Sequence, residues 1–549
     1  MQLKNKGFKL PLQYCCMEVN ATTIAYEQTG YFSKLATDYL NGSEALRPFY
    51  QHPVSIDGIK ASIEARKQFA QQRGILTTEL KQQYSTLQLH QNLATNLALL
   101  NNDNCFTITT AHQPNIFTGP LYFLYKILHA IKLAENLKKQ LPEYDFVPVY
   151  YMGSEDADLD EIGTFTSDGV KYQWKTKQTG AVGRMKVDKE FLQIIAYLRG
   201  QLGVRPFGND IIDLFSRIYT TGKTIQEATL ELVNELFGAY GLVVVIPDNA
   251  SLKKLFHSVV EKELTEGFSH TAVSETIIAL EKHYKVQAGG RALNLFYLVD
   301  DKRERIELIN GIYEVKALGL RFSTQEILKE LETYPERFSA NVILRGAFQE
   351  TILPGIAFIG GGGELAYWLE LKKVFEAANI PYPVLLLRNS FLIAEAAHQQ
   401  KLESIGLSMH ELFLPIHELM NLVVARNGNG RYQLNGQLAG VQELYDRIAE
   451  LATQTDNSLT AHVASLKAKA VKRLQELEKK MLRAGKRKFE AEQRQLQKIK
   501  SVLFPGDSLQ ERVENLSAFY AKYGGALIEL LYTHSLSLEQ QFVLLTVSQ

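Results

Sequence analysis

The sequence predicts an open α/β fold: a parallel sheet carrying two insertions, followed by a C-terminal antiparallel helical arm. Three observations predict it. Apolar strand-like runs end repeatedly in polar loops that lead into amphipathic helices, the sequence form of βαβ units. In the last third the patterning changes to a near-heptad seam. The chain has 549 residues, more than one core of ~250–300 residues holds.

Each element has its own signal. Residues 1–100 are patterned mostly as helices, most clearly over 59–88. The β-branched run 106–110 breaks at the polar loop 111–114, and Pro120 opens a helix to residue 141. A second strand, 146–151, ends in the acidic loop 155–161. Residues 224–240 read as a helix and 242–246 as a buried strand. The strand 356–359 runs into four glycines, 360–363, and a helix is expected over 364–378. The strand 383–387 ends at Arg388-Asn389-Ser390, ahead of another helix. Aperiodic stretches at 165–205 and 286–340 read as insertions, the second with alternating strands.

The arm pairs helices 434–451 and 459–502 through the turn and N-cap signal Thr455-Asp456-Asn457-Ser458. Its seam runs Val463, Leu466, Ala470, Leu474, Leu477, Met481, Ala484, with Gly485 as its weak point. Between residues 467 and 500 there are 13 Lys+Arg against 4 Asp+Glu, a local +9. Pro505-Gly506 ends the arm, and a helical return to the body is expected after it. The resulting division is 1–164 (N-terminal helices and first part of the core), 165–205 (first insertion), 206–285 (core), 286–340 (second insertion), 341–432 (core), 433–503 (arm) and 504–549 (return).

Composition excludes several classes. Lys+Arg and Asp+Glu both number 60, and a neutral chain lacks the cationic excess that general nucleic-acid binding requires. Apolar residues at 46% and charged residues at 22% are globular proportions. Three cysteines, Cys15, Cys16 and Cys105, support neither a disulfide framework nor a zinc site. Apolar runs fall far short of the ~20 residues of a membrane span, and no apolar segment follows the first six residues. The expectation is a soluble, cytoplasmic protein without membrane or nucleic-acid partners.

Four constellations carry chemistry. The loop 110–120, between a strand and a helix start, can offer amides and a helix dipole to an anion. It faintly echoes the HxGH signature of nucleotidylyl transferases, with only one histidine, His112. The carboxylates of 155–161 at a strand's carboxyl end can hold an ammonium group or Mg²⁺, or accept a proton. The run 360–363 suits backbone that approaches a ligand closely or adopts a left-handed φ. Ser508 and Glu511 have capping-box spacing, with Arg512 and the basic residues Lys486, Arg487 and Lys488 as countercharge for phosphate.

Taken in order, Thr118-Gly119-Pro120-Leu121-Tyr122, Glu155-Asp156, Asn294-Leu295-Phe296-Tyr297, 360–364 with Ala366-Tyr367-Trp368, and Leu509-Gln510-Glu511-Arg512 resemble the cysteine ligase family of bacillithiol biosynthesis, BshC. The resemblance spans nearly the whole chain. It implies a Rossmann-like core related to nucleotidylyl transferases, a coiled-coil arm and a homodimer. It implies a ligase that joins L-cysteine to the amino group of glucosaminyl-malate, with adenine nucleotide near the arm. Two departures stand out: His112 where relatives often carry Gln, and Ala157 where they often carry His.

Amide formation from a carboxylate is uphill in water, which implies ATP (or ADP) and Mg²⁺. The residues put forward as catalytic are His112, Gln113, Asp156 and Asp158. For substrate or nucleotide they are Asn115, Thr118, Gly119, Glu155, Gly360, Gly361, Gly363, Glu364, Tyr367 and Arg388. A second nucleotide position near the arm would use Lys486, Arg487, Lys488, Ser508 and Arg512. No residue set stands out for a resident metal. The alternative is a nucleic-acid or scaffold binder that grips through the basic arm and retains a degenerate transferase core.

Overall fold

A computed structural model describes residues 18–286, 289–428 and 433–548. Its core is a five-stranded sheet in the spatial order Val384–Leu387, Gly355–Gly360, Cys105–His112, Asp145–Met152, Val243–Val245. Every pairing is parallel. In chain order this reads fifth, fourth, first, second, third, so the topology reverses between Cys105–His112 and Gly355–Gly360. Parallel strands are covered on both faces and read as continuous apolar runs. Accordingly Phe106, Ile108 and Ile356 pack with Leu133 and Leu137 of the helix Tyr122–Gln140 and with Ile59 and Ile63. Val147 and Val149 lie in the other cluster.

The structure departs from expectation at several elements. Ser390–Glu395 is a strand rather than the start of a helix, and the chain's return ends in a strand, Phe542–Ser548. With Glu18–Ile24, inside the region read as helical, they form a second sheet with Phe542–Ser548 at its centre. A short, fully buried apolar run has no period that separates strand from helix. The helix after the glycines begins at Gly362 and breaks at Leu371, giving Gly362–Glu370 and Lys372–Ala377. The aperiodic first insertion contains a hairpin, Thr164–Ser167 with Val170–Gln173, and a helix, Lys189–Leu202. The long arm helix stops at Lys486, just past Gly485, and resumes at Glu490–Leu503. Its seam is not sealed: Val463 is buried, whereas Leu466 and Leu477 are 40% and 47% exposed. Cys105 is buried and unpaired; Cys15 and Cys16 lie outside the described residues. Among the described residues no helix is long and apolar enough to cross a membrane.

Residues 114–119 of the loop read as an anion cradle form instead a buried joint. Phe117, Thr118 and Gly119 all have positive φ (51°, 72° and 60°), a conformation that costs a non-glycine residue free energy unless its surroundings impose it. Phe117 supplies the constraint, packed among Phe165, Phe191, Phe215 and Tyr219 at 4.8–5.2 Å. A Cβ on Gly119 would come within 2.7 Å of Asn115. The amides are engaged within the protein: Leu121 donates to the Glu514 carbonyl and Phe117 to the Tyr219 hydroxyl. The Asn515 amide donates to the carbonyls of Phe117 and Gly119. Asn515→Ala should strand two buried carbonyls and lower stability by about 2 kcal/mol, read as a shift of the denaturant midpoint.

Candidate functional site

The carboxyl ends of the core strands open on one cleft of about 1030 Å³. It lies at the reversal point of the sheet, where open α/β folds place their ligands. Cys105–His112 delivers His112 and Gln113, Asp145–Met152 leads to Gly153, Asp156 and Asp158, and Gly355–Gly360 leads to Gly361, Gly363, Glu364 and Tyr367. Arg388 follows the last core strand. The second insertion and the helix after it add Arg291, Arg303, Arg305 and Arg345, and the C-terminal return adds Arg512.

Asp156 is the electrostatic centre of this wall. Arg345 grips both of its carboxylate oxygens, at 2.9 Å on Oδ2 and more closely on Oδ1. Gln113 Nε2 donates to Oδ2 at 2.9 Å, and Arg303 Nη1 stands 3.8 Å from Oδ1. Burial alone would raise this acid's pKa, but Arg345, Arg303 and Gln113 outweigh it and hold it below its ordinary value. Asp156 is therefore a fixed anion rather than a proton acceptor, and its charge is already matched by arginine. Asp158 Oδ1 accepts from the Glu161 amide at 3.3 Å and caps the short helix Leu159–Ile162. Among the described residues no group of three His, Cys, Asp or Glu could hold a metal. A resident Mg²⁺ does not fit this acidic loop.

His112 stacks on Tyr122, with ring centroids 5.3 Å apart and planes within 14°. Its Nδ1 accepts from the Gln113 amide at 2.7 Å. That bond assigns the proton to Nε2, which is buried without a partner. Burial, then Lys126 and Arg388, depress the imidazole well below 6.5, with Asp156 opposing. His112 is thus a neutral donor near pH 7, not a base awaiting a proton. Unfolding frees it to take up a proton. Its contribution to stability is full above 6.5 and is lost as pH falls from there toward the folded value.

The glycine run works differently from expectation. Gly361 has φ −72°, and none of the four residues 360–363 has positive φ, so no left-handed backbone requires them. Gly360 packs closely, since a Cβ there would lie 2.9 Å from the Phe358 ring. A Cβ on Gly361 would stand 3.4 Å from Glu364 Oε2 and 3.6 Å from Arg388 Nε, at the cleft wall. The Gly361 amide donates to Glu364 Oε2 at 2.8 Å, and the same oxygen pairs with the buried Lys126.

Arg388 is itself buried. It stacks over Tyr122 at 5.1 Å, and its Nη2 donates to Glu511 Oε1 at 2.7 Å. Glu511 also accepts from the Ser390 hydroxyl and the Phe391 amide. The expected capping box from Ser508 to Glu511 is therefore absent: Leu509 occupies the cap position, and Glu511 serves as countercharge to Arg388. Tyr122, half-buried beneath Arg388, is pushed up to about 12, chiefly by the desolvation of its hydroxyl.

Several nominated residues stand outside the cleft. Asn115, Thr118 and Gly119 belong to the buried joint described above. Glu155 pairs with Lys253 and accepts from Ser339 at 3.1 Å, tying the acidic loop to the second insertion. The five residues proposed for a second nucleotide position do not form one site. Arg512 lines the core cleft, while Lys486 donates to the His417 carbonyl at 3.1 Å. None of the five lines the cavity of about 270 Å³ at the foot of the arm, whose cations Arg205 and Lys522 pair with Asp168 and Glu395.

The cleft also contains residues that motif reading passed over. Lys126 interrupts the apolar face of its helix, a signal visible in the sequence. Arg303 and Arg305 alternate in Lys302-Arg303-Glu304-Arg305, a weaker one. Arg345 sits in an ordinary amphipathic helix with no local signal. Asp156→Asn should leave two guanidinium groups without countercharge and lower stability by about 3–5 kcal/mol. Asp158→Asn, an equally good cap, should change it by less than about 0.5 kcal/mol. Chemical denaturation of the two variants side by side reads both outcomes.

Comparison with known proteins agrees with this architecture. Residues 17–389 match the family described as "Bacillithiol biosynthesis BshC, N-terminal Rossmann-like domain", and residues 391–547 match its C-terminal coiled-coil domain. A protein of Flavobacterium johnsoniae named "Putative cysteine ligase BshC" is 40% identical over 95% of this chain and 99% of its own. Relatives of the same name from Christiangramia forsetii and Cytophaga hutchinsonii are 39% and 37% identical, covering 95% and 93% of this chain and 98% and 95% of theirs. With both domain matches joined end to end on the fold described above, the chain belongs to the BshC family of bacillithiol biosynthesis.

Proposed function

We propose that the cleft joins the carboxyl group of L-cysteine to the amino group of glucosaminyl-malate, with ATP supplying the activation. The observation that carries this reading is the cationic wall at the sheet's reversal point, whose carboxylate Asp156 is already neutralised from within. A cysteine carboxylate is a poor acyl donor, so phosphoryl or adenylyl transfer from ATP to its oxygen comes first, releasing ADP or pyrophosphate. The amine then attacks the acyl carbon, phosphate or AMP departs, and the ammonium proton is lost. Lys126, Arg345, Arg388 and Arg512 surround the space where that negative charge develops and departs. His112 offers a neutral Nε2–H to the acyl oxygen. Glu161, an exposed carboxylate on the same cleft whose pKa is raised by partial desolvation and then by Asp158 and Asp156, is the proton acceptor in this reading. Mg²⁺ travels with the nucleotide in this reading.

The decisive experiment incubates the purified protein with cysteine, glucosaminyl-malate, ATP and Mg²⁺, and follows products by mass spectrometry. Bacillithiol formation is expected, and AMP or ADP identifies the activated intermediate. No product with any nucleotide would overturn the reading. In the same assay His112→Ala should reduce kcat/KM by about tenfold, the value of one hydrogen bond. His112→Gln, which keeps a neutral donor, should stay within about threefold of wild type. Neither pH profile should lose an inflection near 6.5 relative to wild type.

The arm is the proposed seat of a homodimer. The helix Asn435–Thr455 buries no residue, and Leu444, Leu451 and Leu466 remain 47%, 64% and 40% exposed. Leu451→Glu combined with Leu466→Glu should convert a dimer to a monomer in light scattering without moving the melting of the body.

A further inference from the structure

We infer that Arg291 and Arg305 of the second insertion form a subsite for a small dicarboxylate, the malyl half of the acceptor, an inference that rests on the ligase reading. The hairpin Leu295–Val299 with Lys302–Arg305 sets Phe296 opposite Arg305 and Leu298 opposite Arg303. Side chains alternate along a strand, so Arg303 and Arg305 share a face and Lys302 and Glu304 take the other. Arg303 is consumed: it lies 4.0 Å over the Phe296 ring and donates to Ser339 and the Ala340 carbonyl. Among the described residues, the guanidinium groups of Arg291 and Arg305 make no hydrogen bond or close ion pair; they only add, behind Lys316, to the charge that holds the Glu307 carboxyl below its ordinary value.

Both line the cleft, and both also line an adjoining cavity of about 360 Å³. Glu307, the carboxylate that lines the adjoining cavity, pairs with Lys316 at 2.6 Å. The other cleft cations are mostly satisfied: Lys126 by Glu364, Arg345 and Arg303 by Asp156, Arg388 by Glu511. Two free guanidinium forks on separate segments match two carboxylates, each offering a pair of oxygens. The chemistry they share with a nucleotide's phosphates is that of a small dianion, so the test separates the two sources.

Malate, glucosamine and inorganic pyrophosphate are titrated calorimetrically into the full chain, and KM is measured for glucosaminyl-malate and ATP. Wild type should bind malate but not glucosamine. Arg291→Gln and Arg305→Gln should each weaken malate binding, and raise the acceptor KM, by about tenfold or more, the loss of one charge-assisted bond, with KM for ATP unchanged. Lys302→Gln, on the outward face, should leave all values as they were. Absence of malate binding, unchanged acceptor values in both variants, or a rise in KM for ATP or loss of pyrophosphate binding instead, would each overturn the subsite. A chain that binds malate through these arginines yet makes no bacillithiol keeps the subsite and loses the ligase reading. One that makes bacillithiol with unchanged acceptor KM in both variants does the reverse.

Discussion

The carboxylate of Asp156 draws four stretches of chain together at one point. Gln113 reaches it from the first core strand, Arg345 from the helix Val342–Ile352, and Arg303 from the second insertion. Asp156 itself belongs to the loop after the second strand, on whose carbonyls the first insertion docks through the Val182 and Gly183 amides. A buried carboxylate without partners would protonate or leave the interior. With two arginines beside it, it does neither, and it matches their charge in turn. The shape of the cleft follows from this mutual dependence.

The same logic recurs at the edge strand of the sheet. Arg388 and Glu511 are both buried, and each makes the other's burial tolerable. Their pair joins the end of the core to the C-terminal return, and so brings Arg512 to the cleft. A tyrosine beneath Arg388 and a histidine beneath that tyrosine complete a stack. The site is thus built from charge pairs whose partners come from different segments, with one neutral imidazole among them.

The parallel core was legible because each of its strands is a short apolar run ending in a loop of recognisable chemistry. The loops at His112, Asp156, Gly361 and Arg388 do converge, as strand ends of a parallel sheet must. What escaped was decided by distant contacts. Phe542–Ser548 and Ser390–Glu395 are strands because they pair with each other, and no local period says so. Glu511 has the spacing of a cap, but a buried guanidinium more than a hundred residues earlier claims it. The loop around Thr118 has the composition of an anion site, yet Phe117 draws it into an aromatic cluster. Arg345 and Arg305 sit in unremarkable segments, and only the fold gives them a cleft to face.

The small sheet has a bearing on how the molecule comes into being. Its central strand, Phe542–Ser548, is flanked by Glu18–Ile24 and Ser390–Glu395, so its neighbours precede it by about five hundred and about a hundred and fifty residues. During synthesis both neighbours leave the ribosome long before the strand that joins them. Pairings of such sequence separation are slow to form, and unpaired strand edges invite association with other chains. For most of its synthesis the chain therefore carries one unpaired strand, and once Ser390–Glu395 is made it carries two. Closing them waits on Phe542–Ser548, which pairs with both.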